Sequence, residues 1–119
     1  MSDIVMALAE NTIHDGQLDT VRALVAEMVD AVQREEPGTL NYDWFISADG
    51  KTVHAFERYT DSAAYSAHMQ NVGPRYGARC FATMTNTKMT LYGNLSDELR
   101  QMFSVFSPAY MNPVSVVER

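Results

Sequence analysis

Between Thr39 and Tyr59 the chain alternates twice, and both phases of the alternation carry apolar side chains. Over Thr39 to Ser47, Leu40, Tyr42, Trp44 and Ile46 share one face, while Phe45 stands on the other with Asn41, Asp43 and Ser47. Ala48-Asp49-Gly50-Lys51 supplies the Asp-Gly signal of a tight hairpin. Thr52 to Tyr59 returns, with Val53, Ala55, Glu57 and Tyr59 opposite His54, Phe56 and Arg58. A hairpin with aromatic side chains on both faces must be covered on both sides, so a sheet with one solvated face does not satisfy it.

The other periodicities say what covers it. Ile4 to Thr12 alternates as a strand, with Val5, Ala7, Ala9 and Asn11 on one face, and ends at the His14-Asp15-Gly16 turn. Asp19 to Arg34 is a helix whose stripe is Val21, Leu24, Val25, Met28, Val29 and Val32; Glu35-Glu36-Pro37-Gly38 stops it. Thr60 or Asp61 caps a second helix to about Asn71, with Ala64, Tyr65, His68, Met69 and Val72 inward. Gly73-Pro74 predicts an interruption, with Pro74 opening a further short helical piece to about Ala82. Thr85 to Tyr92 is a fourth strand, and Ser96 caps a short helix carrying Leu99, Met102 and Phe103. The tail from Ser107 to Val117 reads as an edge strand or as an arm laid on a partner.

That order predicts an α+β fold, a ferredoxin-like split βαβ sheet with its helices on one face. The simplest cover for the other face is a second copy of the same sheet, which makes the chain a homodimer. The 119 residues, 46% of them hydrophobic, fit a single domain over 1–119, with 104–119 a C-terminal extension or dimer-contact arm.

Composition narrows the partners. The net charge is -6, and no Lys/Arg cluster marks a nucleic-acid surface. No apolar run reaches membrane-spanning length and the N-terminus has no basic region, so a cytoplasmic protein is expected, with neither nucleic acid nor membrane as partner. The single Cys80 excludes an internal disulfide. His14, His54 and His68 fall on different elements, and no glycine-rich phosphate loop is present, so neither a metal nor a cofactor is expected. Eight methionines point to an adaptable apolar interior or pocket.

Glu36-Pro37-Gly38-Thr39-Leu40 leading into Tyr42, then Glu57-Arg58-Tyr59 with Asp61, then Ala64 and His68, then Leu91-Tyr92-Gly93 before Ser96-Asp97-Glu98-Leu99, resemble the antibiotic biosynthesis monooxygenase family. The resemblance covers roughly residues 3 to 103 and is nearest to the small quinol-monooxygenase-like members. It implies a dimeric α+β barrel. As activity it implies cofactor-independent oxidation of a quinol, anthrone or other phenolic substrate by O2. The same barrels also include isomerase-like members and non-catalytic proteins that bind a small apolar metabolite. Haem degradation, with His68 as an axial ligand, is a third reading.

His68 is the first candidate for catalysis: an imidazole on the inward side of a helix, three residues after Tyr65, able to take a proton from a phenol. The competing reading is a histidine hydrogen-bonded within packing. Asn11 lies among small neighbours and is either an amide that orients a substrate oxygen or a strand-end turn residue. Tyr42 and Trp44 are candidate walls for a small aromatic substrate, or core. In oxygenase relatives the tryptophan that matters to activity belongs to a different element, so Trp44 does not inherit its role. Tyr65, Tyr76 and Arg79 complete the substrate-binding set, Arg79 as a guanidinium beside an enolate-like oxygen. Glu57 is expected to pair with Arg58 of another strand or with the partner subunit as a structural group, and Cys80 to be a small buried hydrophobe.

Overall fold

The computed structural model describes residues 2–118. Its elements are β1 (Val5–Ile13), α1 (Leu18–Glu35), β2 (Thr39–Ile46), β3 (Thr52–Tyr59), α2 (Ser62–Thr83), β4 (Met84–Tyr92), α3 (Asp97–Phe103), a 3-10 turn (Ser104–Phe106) and β5 (Ala109–Met111). The sheet order is β2-β3-β1-β4-β5. The first four strands are antiparallel to their neighbours and give the split βαβ arrangement; β5 adds a parallel edge to β4.

β1 and β3 bury the face their alternation assigns, whereas on the Leu40, Tyr42, Trp44 and Ile46 face of β2 only Tyr42 is buried. Val5, Ala7, Ala9, Asn11 and Ile13 of β1 are buried, as are Val53, Ala55, Glu57 and Tyr59 of β3. α1 lays Val21, Leu24, Met28, Ala31 and Val32 on this face. Asp49 holds the hairpin by accepting from Ser47 Oγ at 2.6 Å and the Lys51 amide at 3.0 Å, and Gly50 takes the positive φ of 72° that the turn needs. The opposite face carries Phe45, 64% exposed, and Phe56, 39% exposed.

α2 departs from expectation. It runs unbroken through Gly73 and Pro74, where the sequence predicts two pieces. An interior proline costs roughly 3 kcal/mol and an interior glycine about 1. Burying a large apolar side chain returns roughly 1.5–3 kcal/mol, and Tyr65, Val72 and Tyr76 are all buried on either side of the predicted break, while Pro74 itself is exposed. Asp61, not Thr60, is the cap, accepting from the Ala64 amide at 2.8 Å. α1 begins after Gln17, with Asp19 in its first turn.

Gly38 marks the closest approach between β2 and α2. A Cβ there would stand 2.7 Å from Ala64 Cβ. Gly38→Ala should therefore cost roughly 1–3 kcal/mol through forced separation of the two elements, read as a lowered midpoint in urea. An unchanged midpoint would mean that the contact yields freely.

The tail forms β5 at the sheet edge and then reaches β3, where Arg58 Nη2 donates to the Val117 carbonyl at 2.8 Å. Among the described residues, no helix is long and apolar enough to cross a membrane.

Candidate active site

Two apolar clusters fill the space between helices and sheet, one centred on β1, β3 and α3, the other on α1, β2 and α2. Trp44 packs against both, and an open cavity of about 190 Å³ lies beside it. The sheet contributes Asn11, Tyr42, Trp44 and Glu57; α2 contributes Tyr65, His68 and a line of small residues beyond them. Met69, Met84 and Met89 supply much of the apolar wall.

His68 is the polar centre of the cavity, 2% exposed. Its Nδ1 donates to Glu36 Oε1 at 2.7 Å, which leaves Nε2 facing Glu57 Oε1 at 3.8 Å. Glu36 is held in turn: Thr39 Oγ1 donates to Oε1 at 2.7 Å and Asn71 Nδ2 to Oε2 at 2.8 Å. The Pro-Gly stop after α1 is what puts Glu36 there, as the residue at the helix end that turns in toward α2. Tyr42 lies edge-on to the imidazole, ring centroids 4.7 Å apart, so the ring has little freedom to rotate.

Among the described residues Glu57 pairs with no arginine, and Arg58 is not its partner. It sits 6% exposed in the cavity wall and accepts from Tyr59 OH at 2.5 Å, whereas its neighbour Arg58 binds the tail. Burial pushes the Glu57 carboxyl above its ordinary range; His68 and the Tyr59 hydroxyl pull the other way, and Glu36 adds to the rise. Tyr42, Tyr59 and Tyr65 are pushed well above the usual phenol range, first by burial and then by the nearby Glu57, so they serve as donors and not as bases.

The sign of the Glu57 shift gives a stability prediction. The folded state holds a proton that the unfolded chain releases near 4.5. Stability contributed by that proton is complete below 4.5 and is lost as pH rises through the higher folded value. Glu57→Gln cannot ionise, so its melting temperature should gain on wild type as pH goes from about 4 to about 8. Parallel melting curves across that span would contradict the shift.

Asn11 Nδ2 makes only long bonds to the Ala9 and Val53 carbonyls, 3.5 and 3.4 Å, while its Oδ1 accepts from Asn86 Nδ2 at 3.2 Å. Strand alternation points Asn11 inward, and the register between β1 and β4 slips at Glu10/Asn11, leaving Thr87 of β4 unpaired and setting Asn86 opposite Asn11. Trp44 Nε1 is buried with no hydrogen bond of acceptable geometry among the described residues; the neighbouring Tyr42 hydroxyl is turned to Met28 Sδ at 3.8 Å. Cys80 also borders the cavity, its thiol pushed up by burial.

Asn11, Tyr42, Trp44, Tyr65 and His68 therefore line one space. Tyr76 and Arg79 are placed elsewhere. Arg79 holds Glu27 through bonds of 3.3 and 2.6 Å, and Tyr76 lies under the guanidinium groups of Arg75 and Arg79. Glu36 and Asn86 were not picked out from the sequence as site residues. In sequence Glu36 is part of a helix stop and of the motif that resembles the family, and no periodicity joins it to a histidine 32 residues later. Among the described residues, no cluster of three or more His, Cys, Asp or Glu is arranged to hold a metal ion.

A split βαβ sheet with a histidine–carboxylate pair in the wall of an apolar cavity places the chain among small α+β proteins. Within that class, the chain belongs to the antibiotic biosynthesis monooxygenase family, whose sequence model matches residues 4–76. It is similar in fold to MupZ from Pseudomonas fluorescens, with a TM-score of 0.85 and 20% identity over 99% of this chain and 96% of that one. It is also similar to Rv0793 from Mycobacterium tuberculosis, with a TM-score of 0.67 and 27% identity over 79% of this chain and 97% of the other. A third is a variant of SnoaB, a cofactor-independent oxygenase from Streptomyces nogalater, with a TM-score of 0.65 and 20% identity over 76% and 91% of the two chains. The MupZ likeness thus runs through the C-terminal segment as well. No curated protein sequence matches the chain.

Proposed function

We propose that the cavity is the active site of a cofactor-independent monooxygenase acting on a phenolic substrate of the quinol or anthrone kind. The observation that carries this reading is the buried Glu36–His68 pair, whose remaining ring nitrogen faces the cavity beside Glu57. His68 Nε2 takes the acidic proton of the substrate, and Glu36 steadies the imidazolium that results. The substrate anion passes one electron to O2, and the radical pair recombines as a carbon-bound peroxide. For an anthrone-type CH2, removal of the second C–H proton breaks the O–O bond, a proton from Glu57 or the imidazolium leaves with hydroxide as water, and a carbonyl remains. One O2 and one CH2 give one C=O and one H2O. Asn11 offers its amide to the oxygenated intermediate, and Met and aromatic walls keep water from it.

A second reading is favoured by Glu57 itself. A carboxyl inclined to keep its proton, facing a basic ring nitrogen, can move a proton between two substrate atoms, which is isomerisation and needs no oxygen. Oxygen uptake with anthrone or a naphthohydroquinone as substrate separates the two. The oxygenase reading expects uptake equal to substrate consumed and no turnover under nitrogen. Turnover that continues under nitrogen would assign isomerisation instead.

The occupant of the outer sheet face is a second copy of this chain. Leu8 stands directly opposite Phe56 across β1 and β3, and Met6 and Phe45 extend the same apolar surface. A His54–Glu10 contact at 3.7 Å lies beside it, so the patch carries its own mix of apolar and charged groups, as a two-fold interface requires.

A further inference from the structure

Two glycines of α2 line the cavity. From His68 it follows α2 past Val72, Gly73 and Gly77 to Phe81, which is 72% exposed at the open end. Thirteen helical residues span roughly 20 Å. Glycine weakens a helix interior, so its presence at two positions on the cavity side needs a reason. Backbone conformation is not the reason: neither Gly73 nor Gly77 has a positive φ. Packing is not the reason either: a Cβ built on either one meets nothing within 4 Å, unlike Gly38, where the fold itself leaves no room. What a side chain at 73 or 77 would meet is whatever occupies the cavity.

We infer that Gly73 and Gly77 form the floor of a slot for an extended apolar portion of the substrate, whose reactive oxygen end lies at His68 and Glu57. The inference rests on reading the cavity as a substrate site, and it changes the substrate class from a compact aromatic to an elongated molecule with a polar head and an apolar tail. The head meets His68, Glu57 and Asn11. The tail lies flat on the α2 backbone, where the missing side chains allow close approach, and leaves past Phe81. Gly73 and Gly77 are thus specificity-determining positions and take no part in proton transfer.

The test uses 4-ethylphenol, 4-octylphenol and 1-octanol as probes, with binding measured by calorimetry on the full chain. Each buried methylene is worth roughly fourfold in affinity, so 4-octylphenol should bind wild type at least about 100-fold more tightly than 4-ethylphenol. Gly77→Leu should remove most of that gain, a loss of at least about tenfold for 4-octylphenol, while 4-ethylphenol stays within about twofold. The milder Gly73→Ala and Gly77→Ala keep the test valid if leucine impairs folding. Each should raise the melting temperature, as glycine replacement in a helix does, and each should still weaken 4-octylphenol by about threefold or more. A higher melting temperature with unchanged 4-octylphenol affinity overturns the inference, as does an equal loss for both phenols. The failure of the phenolic reading looks different: the phenols would bind no better than their alcohol counterpart, yet 1-octanol would still lose affinity in Gly77→Leu.

Discussion

His68→Ala should lower kcat by roughly 10²- to 10⁴-fold, the usual contribution of a positioned general base. The same substitution has a structural side. It removes one of the three donors that hold Glu36 and opens space next to Tyr42, so some stability goes with it, about 1–3 kcal/mol for an unpaired buried polar group. His68→Gln separates the two effects, because an amide can still donate to Glu36 Oε1 but is no base near neutral pH. If the histidine is only a packing residue, His68→Gln retains activity. If it is the base, His68→Gln folds well and stays as slow as alanine. Glu36→Gln should fall between wild type and His68→Ala, since it leaves the ring in place but removes the carboxylate that fixes Nδ1 as the protonated nitrogen and steadies the imidazolium.

Phe56→Asp should convert a dimer into monomers. Phe56 is on the exposed face of β3, opposite Leu8 and away from the cavity. A carboxylate there would be desolvated in the centre of the interface, at a cost of roughly 3 kcal/mol or more, which is about 100-fold or more in the dimer dissociation constant. Sedimentation velocity reads this directly. Wild type sedimenting as a monomer would show that another partner covers this face. Monomeric Phe56→Asp that retains substrate affinity would further show that the cavity, lined by residues of a single chain, needs no contribution from its partner.

The legibility of the fold varied with how locally each feature is encoded. The hairpin, α1 and the order of elements follow from alternation, helical stripes and turn residues within short windows, and the structure keeps them to within a residue or two. α2 was misjudged at Gly73-Pro74 because a local penalty was weighed without the burial of Tyr65, Val72 and Tyr76, which only tertiary packing provides. The site divides along the same line. His68, Asn11, Tyr42 and Trp44 carry side chains whose chemistry or periodicity draws notice in one dimension. Glu36 does not, since its role depends on a turn that brings the end of α1 against α2. Strand alternation puts Glu57 inward, but the sequence offers no way to know that Tyr59 and His68 stand beside it and that Arg58 does not. Arg79 shows the reverse case, a cation attractive on paper that the fold commits to Glu27.

Gly73 and Gly77 extend that contrast. Read in sequence they are helix breakers; read against the cavity they are room for a ligand. The two readings meet in one experiment, a crystal structure of the chain with 4-octylphenol bound. The account predicts the phenolic oxygen within hydrogen-bonding reach of His68 Nε2, about 2.6–3.2 Å, beside Glu57, with the octyl chain along Gly73 and Gly77 toward Phe81. A phenol bound outside the cavity, or one inside it with its oxygen turned away from His68, would contradict the central claim that the Glu36–His68 pair and Glu57 are an acid–base centre for the substrate.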